Sequence, residues 1–252
     1  MYKWRFEIIS PTGNYMRDLS SVQNENVWIS EQSNDFEHWF LFSSIHLDSL
    51  DNPNDVYERA FKLKMLIDGI SFLIHENKNS YSKIVLGKLY NEEGRIVSFH
   101  SHIEDSRFNF SLNTEKIDEK FNGNIISHLI HLASHNSFVL NVLLICGQGM
   151  DFSHLYQVYD EINTFLKGKA KLETLGIDKK DLNRFTHTVN NFAALGIKAR
   201  HGSTAEAPPQ NPISLQEAQK LITQILGIVL KKYYSLDLPN IKQIKISADD
   251  LF

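Results

Sequence analysis

Large apolar and charged residues alternate over residues 2–9, with Trp4, Phe6 and Ile8 set against Lys3, Arg5 and Glu7. A period of two marks a half-buried strand. Pro11-Thr12-Gly13-Asn14 then turns the chain. Residues 27–30 and 38–45 read as two more strands, the second aromatic through Trp39, Phe40 and Phe42. The period changes at Asn52-Pro53, where Asn supplies a helix cap and Pro the first helical position. Val56, Phe61, Leu63, Leu66, Ile67, Ile70, Phe72 and Leu73 recur at helical spacing. They predict a helix to about His75, apolar enough to lie across a sheet. Residues 84–90 and 95–102 flank Asn91-Glu92-Glu93-Gly94, which predicts a hairpin, and residues 108–112 read as one further strand.

Beyond residue 114 the pattern turns helical. Residues 125–133 and 137–145 form two short segments divided by His135-Asn136. Asp151 caps a helix to Leu166, with Leu155, Val158, Tyr159, Ile162 and Phe165 on its inner face. Asp178 and Asp181 predict a capping box for a helix to about Leu195. Pro208, Pro209 and Pro212 stiffen the next loop. Ser214-Leu215-Gln216-Glu217 is a capping box for a last helix to Tyr234, burying Leu215, Ala218, Leu221, Ile222, Ile225, Ile228 and Val229. Residues 238–246 read as one more strand, and residues 249–252 as a fraying end. The expected fold is α+β: residues 1–113 a β-rich domain, mainly antiparallel with one crossing helix, and residues 114–252 a helical bundle.

Composition narrows the partners. With 42% apolar and 22% charged residues the chain can build an ordinary core. A net charge of -4 argues against a chain-wide electrostatic binder of nucleic acid or membrane and leaves room for a local basic patch. The single cysteine, Cys146, lies in an apolar run, so neither a disulfide framework nor a multi-cysteine metal site is available. The N-terminus lacks the apolar core of a signal peptide, and no apolar run reaches the roughly 18 residues of a membrane helix. A soluble, cytoplasmic protein without a membrane partner is the expectation.

No P-loop, dinucleotide glycine pattern, HExxH or GxSxG is present, and no cofactor is expected. Two constellations remain. His128, His131 and His135 share one helix face at i, i+3 and i+7. Three imidazoles can ligate zinc, which gives a metal-dependent hydrolase as one alternative; the other reading is a polar face with capping roles. The second constellation is C-terminal. Arg184 and His187 stand three apart on one helix, Asn190 and Asn191 follow, and Arg200-His201-Gly202 forms an elbow after Gly196. Asp160 and Glu161 precede them on another helix. Metal-independent RNA cleavage asks for such residues: histidine moves the proton of the 2′-hydroxyl or leaving group, and arginine stabilises charge developing on phosphate. The catalytic candidates are therefore His187, His201, Arg184 and Arg200, with Asn190, Asn191, Glu161 and Tyr159 as binding candidates. The rival reading is structural, a Glu161–Arg200 pair and a backbone-bonded His201 locking the elbow. An acidic tail ending in Leu251-Phe252 is a weaker docking candidate.

Residues 152–230 resemble a widespread family of functionally uncharacterised bacterial proteins. The resemblance is carried by residues 155–162 (LYQVYDEI), 184–190 (RFTHTVN) and 196–202 ending in Ala199-Arg200-His201-Gly202. It continues through Pro208-Pro209, Asn211-Pro212, Leu215-Gln216-Glu217-Ala218 and Leu221-Ile222. More remotely, the layout is similar to HEPN-type and abortive-infection C-terminal domains, helical bundles that are often RNases in bacterial conflict systems. That likeness implies a homodimer with its sites at the interface, and an RNA or nucleotide ligand. The HEPN hallmark is Arg followed four to six residues later by His; here Arg184 and His187 are three apart and Arg200 and His201 adjacent. The departure implies a non-catalytic member. The favoured expectation is a binding or sensing protein of phage defence, whose Arg200-His201 elbow takes an anionic group or a protein partner. A metal-independent RNase is the alternative.

Overall fold

A computed structural model describes residues 2–9, 23–34, 37–74, 83–103, 107–113, 125–168, 170–202 and 207–238. The first strand, β1 (Arg5–Ile9), buries Phe6 and Ile8 as its alternation requires. With it stand β2 (Gln23–Asn24), β3 (Val27–Ser33), β4 (His38–Ser43), β5 (Val85–Tyr90) and β6 (Ile96–Val97). They form one antiparallel sheet in the order β2-β3-β4-β1-β5-β6. Residues 11–14, read as a turn, lie outside the described residues.

The predicted hairpin is present. Asn91 N–H donates to Arg95 O, Gly94 N–H to Asn91 O, and Arg95 N–H to Asn91 Oδ1. Gly94 takes φ 79°, a left-handed conformation that suits glycine. The returning strand is far shorter than residues 95–102. Phe99 leaves the edge to stack on Tyr57 at 4.8 Å and meet Phe6 edge-on at 5.6 Å, while His100 N–H turns to Asn54 Oδ1. Residues 108–112 form no strand either. Phe108 stacks on Phe110 at 4.3 Å, Arg59 lies 5.0 Å over the Phe110 ring, and Asn113 is tied to Asn26. These aromatic residues find ring and cation partners instead of a ladder.

After the short helix α1 (Ile45–Asp48), Asn52 caps α2 (Pro53–Ile74) through its side-chain bond from Asn54 N–H. Phe6 of the sheet meets Tyr57 of α2 at 6.2 Å. From Lys62 to Leu73 every residue of α2 is buried. The enclosed charges are paired: Lys64 with Asp68 at 2.5 Å, and Lys62 with Glu58 at 2.7 Å. Asp68 also accepts Ile84 N–H at 2.8 Å. Burial raises the Asp68 pKa, and Lys64 works against that rise. Two helices follow, α3 (Ile125–His135) and α4 (Ser137–Gln148). Gly69 of α2 lies under the Leu143 carbonyl of α4, and Gly147 of α4 under the Met65 carbonyl of α2. Without a Cβ at either position the two backbones cross in direct contact.

The chain divides into two compact units, Met1–Phe72 with Asn77–Gly147, and Leu73–Glu76 with Gln148–Phe252. Helices α3 and α4 thus belong with the sheet. The sequence boundary at residue 114 falls outside the described residues. The second unit is helical: α5 (Phe152–Leu166), α6 (Ala170–Glu173), α7 (Lys179–Asn190), α8 (Phe192–Leu195), a 3-10 turn at Gly196–Lys198, and α9 (Leu215–Tyr234). Asp151 caps α5 and Asp178 caps α7, the latter through Lys180 N–H alone and without the expected box. The box at Ser214 and Glu217 is complete. Ala218, Ile222, Ile225 and Val229 are fully buried along α9, whereas Leu215, expected inside, is 39% exposed at the helix start. Of the expected strand at 238–246, residues from 239 onward lie outside the described set, as does the tail. Among the described residues no helix is long and apolar enough to cross a membrane. The chain is an α+β protein.

Candidate functional site

The helix expected to run to Leu195 stops at Asn190. Asn191 is extended (ψ 111°), and its side chain acts at both ends of the break. Asn191 Oδ1 accepts Ala194 N–H at 3.0 Å and starts α8; Asn191 Nδ2 donates to Ala207 O at 3.1 Å. One buried amide therefore turns the chain and holds the loop that comes back past it. His187 Nε2 reaches the same carbonyl at 3.1 Å and so carries the hydrogen there, since a carbonyl only accepts. Asn190 Oδ1 is buried without a hydrogen-bond partner.

Arg184 is bound on all sides of its fork. Nε donates to Asn211 O at 3.0 Å and Nη2 to Pro212 O at 3.2 Å. Nη1 and Nη2 each reach a Glu217 oxygen at 3.1 Å. Glu217 also accepts Ser214 N–H at 2.8 Å. That backbone bond first, and Arg184 second, hold the Glu217 pKa down at about 2. Thr188 completes the clamp: its hydroxyl donates to Arg184 O and accepts Ile213 N–H. Arg184, His187, Thr188 and Asn191 thus fasten the proline loop and the start of α9 to α7.

Arg200 is held differently. Its N–H donates to Val189 O at 2.9 Å, which fixes the backbone of the elbow. Its guanidinium lies 4.2 Å over the Tyr156 ring. The carboxylate facing it is Asp160, not Glu161, at a long 3.8 Å, and 42% of the Arg200 side chain is exposed. His201 and Lys198 are exposed beside it. The elbow also shows apolar surface, Ile197 at 95% exposed and Phe192 at 40%. Tyr159 is 1% exposed and packs edge-on against Tyr156 at 5.7 Å and Phe185 at 5.8 Å, so it builds the floor beneath Tyr156. Glu161 is half-buried on α5. Asp160 belongs to the constellation read from the sequence; the ring it works with, Tyr156, was passed over, and the two stand at i, i+4 on α5. That spacing on the helix preceding the elbow is the signal that could have found it.

On α3 the three histidines do not act alike. His128 Nε2 is buried without a partner, whereas the His131 and His135 rings meet with centroids 4.5 Å apart. Among the described residues no three His, Cys, Asp or Glu side chains converge as a metal site. Comparison with known proteins finds no matching family model, no matching curated protein and no matching solved structure.

Proposed function

We propose that the helical unit is a binding module whose Arg200-His201 elbow docks an anionic group on a macromolecular partner. The observation that carries this reading is the contrast between the two arginines. Arg184 directs every nitrogen of its fork to its own chain. Arg200 sits 4.2 Å over the Tyr156 ring with a loose ion pair, and 42% of its side chain is exposed. A planar guanidinium already oriented by an aromatic ring loses little freedom when a carboxylate or phosphate docks on its two donors. Ile197 and Phe192, exposed on the same stretch of chain, offer apolar contact, which favours a macromolecule over a free ion. Cleavage of RNA would need Arg184 and His187 open to phosphate, and their bonds to main-chain oxygens weigh against it. The abortive-infection resemblance adds phage defence as the setting and a second copy of the chain as a candidate partner.

Calorimetric titration with single-stranded RNA, ATP and a Glu-rich peptide tests the reading. At least one is expected to bind, more weakly as salt rises. Arg200→Ala should weaken it at least about tenfold, roughly 1.4 kcal/mol, with Arg200→Lys recovering only part. Equal affinity in Arg200→Ala, or no binding by any of the three, removes the proposal. RNA cleavage in EDTA that disappears in His201→Ala would replace it with the nuclease.

A further inference from the structure

We infer that His131 and His135 form a two-imidazole chelate for a divalent d-block cation on the face of α3. The site lies on the sheet-bearing unit and is independent of the elbow. His135 Nδ1 stands 3.0 Å from the main-chain oxygen of His131 and 2.9 Å from Ser134 Oγ. The Ser134 hydroxyl donates to the same carbonyl at 2.8 Å. A carbonyl accepts only, so Nδ1 carries the hydrogen, and Nε2 of the neutral ring keeps its lone pair. Tying one ring nitrogen to a carbonyl is how proteins fix the tautomer and aim of a metal-binding histidine.

His131 stands four residues before His135, one turn away on the same face. Their centroids are 4.5 Å apart and their planes 56° from each other. Two imidazoles bonding one cation at about 2.0–2.1 Å put their centroids roughly 5 Å apart, a spacing close to the one these rings already have. His135 is exposed and His131 half-buried, so a cation enters from solvent. With no third ligating side chain converging among the described residues, water fills the remaining positions. That limits affinity and orders it by the metal: Cu²⁺ tightest, then Ni²⁺ and Zn²⁺, with Mg²⁺ rejected by nitrogen donors.

The test titrates the full chain, stripped with EDTA and dialysed, with Cu²⁺, Ni²⁺, Zn²⁺ and Mg²⁺. One Cu²⁺ or Ni²⁺ per chain is expected, with nitrogen hyperfine structure in the Cu²⁺ spectrum. His131→Gln and His135→Gln should each weaken binding at least tenfold while the circular dichroism stays unchanged. His38→Gln, an exposed histidine on β4, should leave it as it is. Equal affinity in the doubly substituted chain, or equal binding of Mg²⁺, overturns the assignment.

Discussion

His46 is the side chain through which mild acid reaches the sheet unit. Its Nε2 lies 2.7 Å from Asn26 Oδ1, an oxygen that also takes Asn113 N–H at 2.6 Å. Arg59 donates to the His46 carbonyl at 3.3 Å and covers Phe110, whose ring stands 5.2 Å from the imidazole. Burial first and Arg59 second push the His46 pKa from its ordinary 6.5 down to about 4. The unfolded chain therefore accepts a proton that the folded chain refuses. This stability is complete above pH 6.5 and is lost as pH falls toward 4. Calorimetric melting at stepped pH should show Tm falling through that window. His46→Gln keeps an N–H for Asn26 without a titrating ring, so its slope there should be shallower. Glu217, held at about 2, acts in a lower window: its contribution is intact above the ordinary carboxylate range and disappears as pH drops toward 2.

Among the elements, the α2–α4 crossing tolerates least. A methyl group at Gly69 would overlap the Leu143 carbonyl, and that oxygen is backbone, so no rotamer change relieves it. Gly69→Ala should cost at least about 2 kcal/mol through forced separation of the helices, read as a lower urea midpoint. Most elements were legible in the sequence because their signals are local. Alternation gave β1, Asn52-Pro53 gave the start of α2, and Ser214 with Glu217 gave the start of α9. The failures share a cause. Residues 95–102 follow a clear turn and residues 108–112 alternate, but neither signal says whether a sheet edge waits for them. Phe99 and Phe110 found ring and cation partners contributed by α2, far away in sequence. The break at Asn191 was hidden because the amide that makes it bonds Ala207, sixteen positions on.

For the whole molecule, the α+β class followed from period and composition, while the roles within the site did not. Arg184 and Arg200 look alike in the sequence; only the fold gives one a cage of carbonyls and carboxylate and the other an aromatic shelf. A net charge of -4 adds that any oligoanion is held by this local geometry and not by a general field. Cys146 carries one more consequence. It is the chain's sole cysteine, wholly enclosed in α4 and next to Gly147 at the helix crossing. A thiol reagent can meet it only in molecules that have parted there. Alkylation in native buffer should therefore be slow in the natural chain and markedly faster in Gly69→Ala. The lone thiol keeps time for the opening of this unit, with no label to be engineered in.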